Sequence, residues 1–118
     1  MNKLIYAFTF AICFTCSLAF SQSVKFLEKR ATKFTETAAA QMQLNDDKKQ
    51  LVYTSLLEKF MFFKENIHDG MSAQEKQEIY SQGYKNMVKK LKPMFSMDDI
   101  KKLQGIFTEI KKGENSNG

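Results

Sequence analysis

Apolar residues recur three and four positions apart along most of this chain, which is the spacing of one face of an α-helix. The first stripe is Val24, Leu27, Ala31, Phe34, Ala38 and Met42, with Glu28, Lys29, Lys33 and Glu36 on the other faces. A second carries Val52, Leu56, Phe60, Phe63 and Ile67, broadened by Leu51, Leu57, Met61 and Phe62. Ile79, Tyr80, Tyr84, Met87, Val88 and Leu91 form the third, and Ile100, Leu103, Phe107 and Ile110 the fourth. The pattern predicts an all-α fold of four short helices in a small bundle.

The residues between the stripes read as helix stops and starts. Asn45 is a good N-cap because its side-chain oxygen can accept an orphan backbone N–H, and Asp46 and Asp47 follow where the helix dipole favours anions. Leu44, just before the cap, is placed to staple onto the aliphatic stem of Lys49 or its neighbours. The second helix is expected to reach about His68, with Gly70 of Asp69-Gly70 taking the left-handed conformation beyond its end. Ser72 and Glu75 then make a capping box. Pro93 requires the third helix to finish near Lys92, and Ser96 with Asp99 opens the fourth. Lys111, Lys112 and Gly113 are expected to close that helix, leaving 114–118 as a frayed tail. Gly83 and Gly105 lie inside predicted helices at a cost of roughly 1 kcal/mol each relative to Ala, which points to close helix approach. The three restarts share one grammar, apolar residue then polar cap, as either an internal repeat or any short-looped bundle would.

The N-terminus follows a different logic. After Lys3, an apolar run extends from Leu4 to Phe20, broken only by Thr9, Thr15 and Ser17. Ala19 and Ser21 are small residues at the positions a signal peptidase reads, so 1–21 is expected to be a cleaved signal peptide, with an uncleaved anchor as the alternative. Neither Cys13 nor Cys16 follows the small residues that lipoprotein anchoring needs. The expected mature chain, 22–118, has 97 residues, with a single helical domain over 22–113. Export places it in the periplasm or outside the cell.

Composition narrows the function classes. The mature chain keeps 17 basic and 13 acidic side chains and no cysteine. Disulfides, thiolate chemistry and Cys-ligated zinc are thereby excluded from it. Its only histidine, His68, lacks the spacing of a nucleophile–base pair, so no enzyme and no cofactor are expected.

Leu44-Asn45-Asp46-Asp47-Lys48-Lys49-Gln50-Leu51 and Phe95-Ser96-Met97-Asp98-Asp99-Ile100-Lys101-Lys102-Leu103 resemble the Leu-Thr-x-x-Gln segments of the Spy/CpxP-like envelope-stress proteins. Asn45 and Ser96 stand where that motif has Thr, and Lys48 and Asp99 where it has Gln. The segment ending before Gln22 is similar to the signal peptides of Bacteroidota, which carry many distant members. The resemblance implies a small exported all-helical protein, its four helices in a bundle or a hairpin-like cradle, and an ATP-independent chaperone or stress adaptor, an antiparallel dimer whose cradle is basic and partly apolar. Other members of the wider group bind metal and act as sensors.

Three features are candidates for function. Phe60, Met61, Phe62 and Phe63 are consecutive, so on a helix they cover most of its circumference. Either they reach a client or a second subunit, or their helix is central and surrounded. Eight lysines lie between Lys85 and Lys112, and Lys85, Lys89 and Lys92 share a helical face. That face is either a solvated surface or a means of steering unfolded proteins or an anionic envelope surface toward an apolar site. Nucleic acid is disfavoured by export and by the single Arg30. Glu65, His68 and Asp69 make half a metal site, which a partner chain would have to complete; a histidine seated in the last turn of a helix is the plainer reading. A purely structural or surface protein is the remaining class.

Overall fold

The computed structural model describes residues 18–117, with side chains from 24 to 114. Its four helices are α1 (Leu18–Met42), α2 (Asp46–Asn66), α3 (Ala73–Leu91) and α4 (Met97–Asn117), and no strand occurs among the described residues. Expected cleavage before Gln22 falls within α1, while most of the proposed signal peptide, 1–17, lies outside the described residues. Among the described residues no helix is long and apolar enough to cross a membrane.

Local signals set most helix ends. Asn45 accepts the Lys48 N–H at 2.8 Å. The Ser72 hydroxyl accepts from Glu75 N–H while the Glu75 carboxylate accepts from Ser72 N–H, completing the capping box. These bonds hold the Glu75 carboxyl below its ordinary value. Ser96 Oγ accepts the Asp99 N–H at 3.2 Å. The end of α1 is made differently. Gln43 adopts φ 54°, and the Leu44 N–H reaches back to the Ala39 carbonyl, a Schellman closure built without glycine.

Two helix ends depart from expectation. Helix α2 stops at Asn66, so His68 is exposed in the following loop and not in the last turn. Ile67 is extended, and Gly70, at φ 91°, forms a turn inside the loop without capping the helix. At the other end of the chain, α4 runs through Gly113 to Asn117. Glu114, expected in a frayed tail, pairs instead with Arg30 at 3.0 Å and Lys33 at 3.8 Å. This cross-helix tie keeps Gly113 within the helix.

Spatially the helices are neighbours in the order α3, α2, α1, α4. The pairings Phe34 with Phe107 and Arg30 with Glu114 show that α4 runs antiparallel to α1. The core takes Ala31, Phe34 and Ala38 from α1, Val52, Leu56 and Phe60 from α2, and Met87 and Leu91 from α3. Phe95 from the last loop and Ile100, Leu103 and Phe107 from α4 complete it. Sealing a side chain such as Leu56 or Leu103 contributes about 1.5–3 kcal/mol. Leu27, Met42 and Ile110 pack against this core, as the stripes predict, and so does Leu44, which precedes the Asn45 cap. Gly83 fits its predicted role, since a Cβ there would stand 2.3 Å from the Phe63 ring. Gly105 does not: it is exposed, and a Cβ would meet nothing within 4 Å.

Candidate functional site

The antiparallel packing brings the N-terminal half of α1, the C-terminal ends of α2 and α4 and the middle of α3 to one end of the molecule. Aromatic rings gather there. Phe34 meets Phe60 edge-on with centroids 5.6 Å apart and Phe107 at 5.7 Å. Phe63 meets Tyr80 edge-on at 5.1 Å, and Phe62 lies 6.2 Å from Phe63. A cleft of about 330 Å³ opens between α1, α2 and α4, floored by Phe34, Phe60 and Phe107 and flanked by Phe63.

Cations line this aromatic cleft. The Arg30 guanidinium stands 4.9 Å from the centroid of Phe60 and 5.1 Å from that of Phe34. Lys59 Nζ lies 5.9 Å from the Phe60 centroid and 5.8 Å from that of Phe107. Lys111 Nζ lies 5.9 Å over Tyr80. Ring faces attract cations electrostatically, at about 0.5–2 kcal/mol per contact depending on exposure. Glu114 compensates Arg30, but among the described residues no carboxylate is in ion-pair range of Lys59 or Lys111. Burial, then Lys111, then Arg30 lower the Lys59 ammonium from an ordinary value of 10.5 to about 8. One polar group is also left over: the Gln104 side-chain oxygen, beside the same cleft, is buried without a partner.

The Phe60–Phe63 quartet divides between surroundings. Phe60 is buried, at 6% exposure, whereas Met61, Phe62 and Phe63 are half-buried. Helix α2 is the central helix between α1 and α3, and it nevertheless leaves three of the four within reach of solvent. Phe62 borders a smaller cleft with Ser55, Gly83 and Met87, where the Ser55 hydroxyl is buried without a partner. Lys85, Lys89 and Lys92 are exposed on α3 and border neither cleft. The structure therefore does not bring them together with Phe60 and Phe63. Glu65, His68 and Asp69 are all exposed, and no group of three His, Cys, Asp or Glu among the described residues could hold a metal ion.

Two cleft cations escaped the sequence reading, although a signal was present. Lys59 continues the spacing 52, 56, 59, 63, and Arg30 continues 27, 30, 34, so each charged group falls on a core-facing stripe. Phe26, one turn before Arg30, was off the expected stripe and is 67% exposed. No family model, curated protein or solved structure matches the chain.

Proposed function

We propose that this is an exported, ATP-independent protein-binding module, a chaperone or stress adaptor of the Spy/CpxP type that works as a homodimer. One observation carries the reading. Met61, Phe62 and Phe63 remain partly open to solvent, and exposed Tyr80 packs against Phe63 beside them. Apolar groups concentrated at one place are the mark of a surface that meets another chain. The basic balance supports it, because a positive field raises the encounter rate with acidic clients. Unbranched Met61 can adapt to differently shaped apolar partners.

The test is the aggregation of an unfolding client, followed by light scattering without ATP. The mature chain is expected to suppress scattering, and a Met61→Ser, Phe62→Ser double variant, shown to be folded by circular dichroism, to suppress it less. Failure to suppress in molar excess would overturn the reading in favour of an inert scaffold. Sedimentation at micromolar concentration tests the dimer: twice the mature-chain mass is expected, and a clean monomer rejects it.

A further inference from the structure

We infer that the cleft between α1, α2 and α4 is a binding site for a small amphipathic carboxylate, its anionic head between Lys59 and Lys111 and its apolar body against the phenylalanines. This is a separate activity from client capture and does not depend on it. Size is the first argument. A volume of about 330 Å³ lies at the lower end of small-molecule sites, which run from about 300 to 1,000 Å³. A naphthalene-sized or medium-chain aliphatic body suits that volume, whereas a folded partner would have to bridge it without filling it.

Charge is the second argument. Lys59 and Lys111 have no carboxylate partner among the described residues, while Arg30 and Lys112 do. A half-buried ammonium facing two further cations is unfavourable on its own. One incoming anion would relieve that repulsion and gain charge-assisted hydrogen bonds in partly desolvated surroundings. Because Glu114 already occupies Arg30, the cations open to an incoming anion are Lys59 and Lys111. Phe60, Phe63 and Phe107 offer only ring surface, so a bare inorganic anion would leave most of the site unused. A carboxylate joined to an apolar body uses both halves.

Binding of 1-naphthoate to the full-length mature protein provides the test, read by its own fluorescence; the chain has no Trp to interfere. Laurate, the neutral 1-naphthalenemethanol and sodium sulfate serve as competitors. Naphthoate is expected to bind at one per chain, laurate to displace it, and the neutral alcohol and sulfate each to be about tenfold weaker, the scale of losing one productive contact. Lys59→Met should cost naphthoate about tenfold by removing the charge. Lys59→Glu should do at least the same while folding normally, since its carboxylate meets Arg30 and Lys111. Equal binding of acid and alcohol would overturn the proposal, as would full affinity in both Lys59 variants. Displacement by acidic peptides, with laurate inert, would also overturn it and assign the cleft to the client surface.

Discussion

Two groups of cations in the chain behave differently. On α3, Lys85, Lys89 and Lys92 project into water, where screening leaves an isolated charge little to gain or lose. In the cleft, Arg30, Lys59 and Lys111 stand over aromatic rings, and among the described residues no carboxylate pairs with Lys59 or Lys111. The same residue type is thus a solubilising group in one place and an unsatisfied charge in the other. What decides is the neighbour across the helix interface, not the density of lysine along the chain. A stretch rich in lysine needs no function, whereas a lysine on a core-facing stripe is the better place to look for one.

The largest perturbation should come from the floor of the cleft. Phe107→Ala removes a ring that serves both the core and Lys59, and is expected to cost about 3–5 kcal/mol in urea unfolding. Such a loss would show that the cleft is built on the core. A cost below that of an ordinary surface change would break the comparison, because the aromatic floor would then be peripheral. Next comes Gly83→Ala, which forces the Phe63 ring away from α3. It is expected to cost about 1–2 kcal/mol despite the better helix former. Gly105→Ala, in open space, should gain up to about 1 kcal/mol.

Lys59→Met sharpens the comparison through its sign. Removing the uncompensated charge should stabilise the protein by about 1 kcal/mol near neutral pH, a modest figure because the side chain is only half-buried and solvent screens it. The folded chain holds the Lys59 proton less tightly than the unfolded chain does. The parent's stability contribution from this group should therefore rise as pH climbs from about 8 toward 10.5. The advantage of Lys59→Met should shrink over that same window. Arg30 from α1, Lys111, Lys112 and Glu114 from α4, Glu58 beside it on α2 and Lys90 from α3 are the charged groups facing it or its neighbours, and their titration would be followed in parallel. Smallest of all, Lys85→Ser, Lys89→Ser and Lys92→Ser should each stay within about 0.5 kcal/mol and leave naphthoate binding unchanged. A larger effect would mean that α3 belongs to the site.

Much of the fold was legible because its determinants are local. Asn45, Ser72 with Glu75, and Ser96 cap helices by bonds that span three residues, and the apolar stripes report which face turns inward. Features made by distant partners were not. Nothing near Gly113 announces that Glu114 will pair with Arg30, 84 positions earlier, and carry α4 onward. Gln43 closes α1 in a left-handed conformation that sequence normally signals with glycine. Gly83 and Gly105 look alike along the chain, and only the approach of Phe63 separates them. The site followed the same rule. Phe60 to Phe63 were visible as a run, but their division into one sealed ring and three half-open side chains depends on α1 and α3 together. Arg30 and Lys59 lie outside the dense lysine run, so only their place on core-facing stripes marks them.

The most direct measurement is the titration of the Lys59 side chain, followed by NMR of ¹³C-labelled lysine and assigned with the Lys59→Met variant. The account predicts a midpoint near 8 for the free protein, moving upward when 1-naphthoate is added because the anion favours the charged ammonium. A midpoint at the ordinary lysine value of 10.5, unmoved by naphthoate, would contradict it.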